Sequence, residues 1–386
     1  MIPTGTYATL ARARRTPPLL VMFLMLACGA AGEPEAQVPD ARARGEWRTD
    51  FTRHVVPFEE IVPGGPPKDG IPPIDKPRFE TVRSADRWLG EREPVIVVEH
   101  GGSARAYPLQ ILTWHEIVND RIGDLPIAVT FCPLCNTALV FDRRHAGRVL
   151  DFGTTGRLRH SDLVMYDRQT ESWWQQASGE GLVGAFAGDT LTHLGAQTLG
   201  WGEFRRAHPG GQVLSRETGH DRPYGENPYS GYDAPKSSPF GGFFSRKTDK
   251  RLPAKERVVA VTVGTDDAAY PFTRLRDVGV VNDAVGGRPL VVFWAPGTAS
   301  ALDDRQIARG RDVGATGVFD RTINGRLLTF ERVGGTFRDR ETGSAWDLLG
   351  NATAGSLRGR RLARVPHGDY FWFAWAVFRP KTRIWQ

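Results

Sequence analysis

Short apolar runs separated by turn residues organise this chain. "PVIVVEH" (94–100), "IAVTF" (127–131), "TALVFD" (137–142), "RVLDFGT" (148–154) and "DLVMYDR" (162–168) are each five to seven residues long. They are rich in β-branched and aromatic residues and bounded by Gly, Pro, Asp or Asn, which reads as strand, turn, strand. "LVVFW" (290–294) and "RLLTFE" (326–331) repeat the pattern later. Helical signals are few. They are "TVRSADRWL" (81–89), a run from Pro108 to about Asn119 whose proline suits a first turn, and "AQTLGWGEFRRAH" (196–208). The pattern predicts a β-rich α+β fold of short antiparallel strands with few short helices.

The runs also recur as a block. "AYPLQILTWHEIVNDRIGDLPIAVTFCPLCNTAL" (106–139) aligns without a gap to "AYPFTRLRDVGVVNDAVGGRPLVVFWAPGTASAL" (269–302), with 13 of 34 positions identical. "YDRQTESWW" (166–174) likewise parallels "RDRETGSAW" (338–346). Two tandem, sequence-related halves are therefore expected at 90–208 and 254–386. A Gly/Tyr/Pro-rich connector (209–253) joins them, and a Pro/Gly-rich segment (51–89) precedes them. Residues common to both copies, such as Tyr107/Tyr270 and Asn119/Asn282, are assigned to the shared scaffold. Residues found in one copy are better candidates for chemistry. His115 becomes Val278, Glu116 becomes Gly279, Cys132 becomes Ala295 and Cys135 becomes Thr298.

The N-terminus changes the picture of where this chemistry takes place. Arg12, Arg14 and Arg15 precede the apolar run "LLVMFLMLA" (19–27), which is too short to span a bilayer and fits an export signal. "LMLAC" resembles a bacterial lipobox, with Met25 where leucine is commoner, and makes Cys28 the expected lipidation site. Residues 1–27 are read as the signal and 28–50 as a tether. The expectation is an exported protein of the periplasm or cell envelope, partnered with a membrane through its lipid. Removal of 1–27 takes away three arginines and no acids, so the formal charge of +6 falls to +3. The remaining basic residues are scattered, which argues against a nucleic-acid partner. Nothing in the sequence identifies a protein partner.

With Cys28 lipidated, Cys132 and Cys135 are the only cysteines left. A lone close pair in an exported protein is expected either to oxidise or to be held by a metal. Cys132-Pro133-Leu134-Cys135 sits between two strand-like runs, as in a metal knuckle, rather than at the start of a long helix. A full sulfur site needs a second pair, so other ligands would have to come from N or O donors. His115 is the first candidate. Glu116, His160, Asp162 and Met165 follow. Two thiolates with such partners suit copper or zinc. Plainer readings stand beside these. His115 equally reads as a satisfied half-buried histidine, His160 as solvated loop, and the cysteine pair as a small disulfide. In the connector, Tyr224, Asn227, Tyr229, Tyr232 and Asp233 read either as packing or as the wall of a ligand pocket.

The stretches "GGPPKDGIPPID", "WHEIVND", "FCPLCNTALVFDR", "DFGTTGRLRHSDLVMYDRQTESWWQQ", "GQVLSRETGHDRPYGENPY" and "FWFAWAVF" together resemble the bacterial exported proteins of domain-of-unknown-function family 3179. The resemblance covers about 50–380. It implies an exported or lipid-anchored protein and brings no activity, cofactor or catalytic residue with it. The functional expectation therefore rests on the residues. Metal binding through Cys132, Cys135 and His115 leads. The alternatives are a thiol/disulfide redox role, with Cys132 attacking and Cys135 resolving, and a non-catalytic binding lipoprotein with a structural disulfide. There is no G-x-S-x-G elbow, H-E-x-x-H motif or P-loop.

Overall fold

Every residue of the strand Leu125–Cys132 is buried, and this strand anchors the first of two similar series of elements. The series begins with Pro94–His100 paired antiparallel to Ser103–Pro108. Pro108 then caps the helix Leu109–His115. Ile117–Ile122 pairs with Leu125–Cys132, which pairs with Thr137–Asp142. The second series has the same order. Arg257–Val263 pairs with Asp266–Pro271, Pro271 caps the helix Phe272–Val278, and Val280–Val285 pairs with Arg288–Ala295, which pairs with Ala315–Asp320. In this computed structural model the described residues are 45–386. The expected signal, Cys28 and most of the tether lie outside them. Among the described residues, no helix is long and apolar enough to cross a membrane. The fold is β-rich, with many antiparallel sheets and a few short helices, as the apolar pattern predicts.

The sheets of the two series are separate, but their cores are joined. Gly368–Phe371 of the second series packs on Thr137–Asp142 of the first, and Gln197–Gly200 of the first packs on Ala315–Asp320 of the second. This exchange places second-series side chains directly over the cysteine turn. The Phe371 N–H donates to the Cys135 carbonyl at 2.9 Å.

Three local expectations are corrected. The helix from Pro108 ends at His115, well short of Asn119. Glu116 takes a φ of 57°, its N–H closes the last turn on the Leu112 carbonyl, and its carbonyl accepts from the Phe131 N–H, which commits the next residues to a strand. The segment 196–208 is half strand: Gln197–Gly200 pairs with Pro94–Val97 before the helix Trp201–Ala207 begins. The tether also ends before residue 50. Trp47 is buried edge-on against Tyr166 and Trp173, and the Thr49 hydroxyl donates to the Glu171 carbonyl at 2.7 Å.

The two series differ in the length of one hairpin. Between paired Phe152 and Asp167 the first series encloses fourteen residues, whereas between Phe330 and Asp339 the second encloses eight. The extra six lengthen one hairpin, and its tip reaches the cysteine turn.

Candidate metal centre

Cys132 ends its strand opposite Thr137, and the chain turns at once. The Cys135 N–H donates to the Cys132 carbonyl at 3.3 Å, and the Asn136 N–H to the Pro133 carbonyl at 3.2 Å. Asn136 closes the turn at a φ of 53°, a conformation asparagine tolerates better than most residues. The turn points both side chains inward. Cys132 is 1% exposed and Cys135 is 0% exposed, and both are free thiols. Both lie against the Ser161 carbonyl, at 3.7 Å and 3.3 Å, and can donate to it.

Ser161 belongs to the tip of the lengthened hairpin. Arg159 pairs with Asp162, leaving His160 and Ser161 as a two-residue loop with φ of 54° and 66°. Such loops favour Gly, Asn or Asp, and other residues are strained there by roughly 1–3 kcal/mol each. The second series uses Gly334 and Gly335 at its own tip, with φ of 56° and 83°. The strained tip is pinned from outside. The Ser161 N–H donates to the Phe243 carbonyl at 2.7 Å, and His160 Nε2 lies 3.3 Å from Glu60. The result is that Asp162, fully buried, meets the thiols. Its carboxylate and the two sulfurs offer ligand atoms that all lie within 4.8 Å of one another. Asp162 Oδ1 accepts from Gln175 at 2.6 Å and from the Ala177 N–H at 2.9 Å, while Oδ2 has no hydrogen-bond partner among the described residues.

Burial dominates the electrostatics. It pushes the Cys132 thiol up, and the Cys135 thiol further. It raises Asp162 to about 6 against the bonds from Gln175 and Ala177. Burial and the nearby Asp162 charge raise Glu116 to about 8. Without a cation, the two thiols are therefore protonated and weakly nucleophilic at neutral pH, while Asp162 is largely ionised. One basic group stands against it. Lys255, 3% exposed, has no hydrogen-bond partner for Nζ among the described residues; Nζ lies over the rings of Tyr232 (3.0 Å), Phe371 (4.7 Å) and Phe373 (5.1 Å). Burial lowers it to about 7, although the Cys135 and Asp233 charges pull the other way. The Tyr232 hydroxyl and Ser161 Oγ are likewise buried without hydrogen-bond partners among the described residues. Two sulfurs and one carboxylate oxygen form a donor set for a soft or borderline cation.

The sequence-derived candidates separate into three groups. Cys132, Cys135 and Asp162 come together. Glu116 lies beside them, coupled to Asp162 but outside the ligand group, and Met165 is fully buried in the same apolar cluster as the sulfurs. His115 is not brought to the thiols. As the last residue of its helix it faces the N-terminal segment and the connector, with Nδ1 2.7 Å from the Pro72 carbonyl and Nε2 2.6 Å from the Tyr224 hydroxyl. His160 pairs with Glu60 and packs on Phe244 and Phe378.

The connector residues do not share one pocket. Tyr224 serves His115. Asn227 donates to the Asp304 carbonyl and accepts from the Tyr229 N–H. Tyr229 packs on the cluster that holds the sulfurs, and Tyr232 covers Lys255. Asp233 is matched by Arg257 and Arg311, each at 2.7 Å. Lys255 is the functional candidate that sequence reasoning missed. In "LPAKERVV" it reads as a solvated lysine before a strand, and no spacing signal distinguishes it.

A family described as "Protein of unknown function (DUF3179)" matches residues 68–382. No curated protein and no solved structure matches the chain.

Proposed function

We propose that this chain, which belongs to the DUF3179 family, is an exported metal-binding protein that holds one copper or zinc ion through Cys132, Cys135 and Asp162. The observation that carries this reading is the convergence of two buried thiols and a buried carboxylate within 4.8 Å. The strained hairpin that delivers Asp162 supports it. Side chains occupy turn positions where the second series has Gly334 and Gly335, and strain of this kind persists where a site requires it. Metal binding would release the thiol protons, so affinity should rise with pH. In the exported setting read from residues 1–28, lipid on Cys28 tethers the protein to a membrane of the cell envelope.

Burial of both sulfurs works against disulfide exchange with a protein partner, which needs an accessible thiolate. The test is metal analysis of the full chain purified from its native compartment, together with thiol titration. One equivalent of copper or zinc, lost in Cys132→Ser and Cys135→Ser, is expected. A metal-free protein whose thiols appear only after mild reduction would overturn the reading in favour of a disulfide.

A further inference from the structure

Building on the metal reading above, we infer that the centre is made for a divalent cation and that Lys255, from the second series, supplies the charge that closes it. Two thiolates and a carboxylate around a divalent ion carry one net negative charge. Buried away from water, that charge is costly unless it is matched. Asp233 does not serve as the partner of Lys255, because Arg257 and Arg311 already hold it. Glu116, the other acid beside the sulfurs, lies outside the group of ligand atoms. Lys255 is the one buried cation next to the thiols whose charged atom has no hydrogen-bond partner among the described residues.

Its placement is specific. The Phe373 N–H donates to the Ala254 carbonyl at 3.0 Å and the Trp372 N–H to the Glu256 carbonyl at 2.8 Å, so the backbone is pinned on both sides of Lys255. Tyr232, Phe371 and Phe373 offer ring faces, which hold an ammonium without supplying an anion. As a structural residue such a lysine is unfavourable, since an unpaired buried ammonium destabilises the fold that contains it. As the counter-charge of an anionic metal centre it has a partner. The second series thus completes a site whose three ligands all come from the first.

The test is a competition titration of the full chain, stripped of metal, with zinc against a chromophoric chelator, together with melting of the metal-free protein. Lys255→Met should bind zinc roughly tenfold or more weakly than the parent, as expected when a nearby opposite charge is removed in a poorly screened site. Its metal-free form should melt at the same temperature or higher. Lys255→Arg, which restores the charge, should recover part of the affinity. Unchanged zinc affinity in Lys255→Met overturns the inference, and so does a loss of affinity matched by a loss of metal-free stability. A parent protein that takes copper(I) but not zinc overturns it while leaving the metal centre standing. A parent that binds neither ion removes both.

Discussion

Glu116 and Gly279 end equivalent helices in the same left-handed backbone conformation, with φ of 57° and 72°. Each N–H bonds back to a leucine carbonyl, Leu112 or Leu275, and each carbonyl accepts from the strand opposite, at Phe131 or Trp294. Glycine adopts this conformation freely, whereas a side chain there is strained. The space differs too. A Cβ at Gly279 would meet Arg332 Cδ at 2.3 Å, so a side chain there would have to displace the exposed Arg332 side chain.

Glu116→Gly should therefore leave stability within about 1 kcal/mol of the parent, because relief of strain offsets the flexibility that glycine adds to the unfolded chain. Chemical denaturation of the metal-free protein measures this. A loss of several kcal/mol would show that the Glu116 side chain is a packing element rather than a tolerated strain.

At the hairpin tip, Ser161→Gly keeps the carbonyl that faces both thiols and removes one strained side chain. It should stabilise the metal-free protein by about 1 kcal/mol and retain metal. Asp162→Asn should keep the fold, since an amide oxygen can still accept from Gln175 and Ala177. It should weaken zinc binding by an order of magnitude or more, as expected for loss of an anionic ligand. Paired melting and zinc titration of the two variants checks both outcomes.

Glu99 ties the two series together through His208, Arg361 and Arg364. Burial alone would raise its carboxyl, but the bonds from His208 and Arg361 and the Arg364 charge outweigh this and hold it well below the usual range. A depressed folded-state value means stability that is present above the unfolded value and is lost as pH falls through the folded one. The parent should lose stability progressively below about pH 4.5, the unperturbed value for this carboxyl. Glu99→Gln should be less stable at pH 7 and show a shallower acid decline. Melting curves from pH 3 to 7 give the comparison, and identical slopes would refute it.

Asp167 and Asp339 are twins of another kind. Each is fully buried and accepts from a tryptophan indole, Trp174 at 3.0 Å and Trp346 at 2.9 Å, and from a threonine N–H three residues on, at 2.7 Å. Asp339→Ala should cost about 1–3 kcal/mol or more by leaving those donors unpaired in the core. Asp167→Ala should cost a similar amount, measured by denaturant unfolding.

These residues also separate what was legible in sequence from what was not. The strand–turn–strand character of the cysteine stretch and a β-rich fold with few short helices could be read from the chain. They depend on period-two patterning, on proline at a helix start and on turn chemistry, all settled over a few residues. The limits of the helices beginning at Pro108 and near 196 could not, because a hydrogen bond from a distant strand decides where each helix stops or starts. The site divides along the same line. Two cysteines three apart on a turn must lie close, so their pairing was fixed locally. Asp162 reaches them through a six-residue hairpin extension, Lys255 through a turn pinned by Trp372 and Phe373, and His115 is drawn away by Pro72 and Tyr224. Local chemistry along the chain sets the donors on the turn and the strands that carry them. Which carboxylate and which cation lie beside them depends on packing, because burial and charge matching are set by segments that meet only when the chain folds.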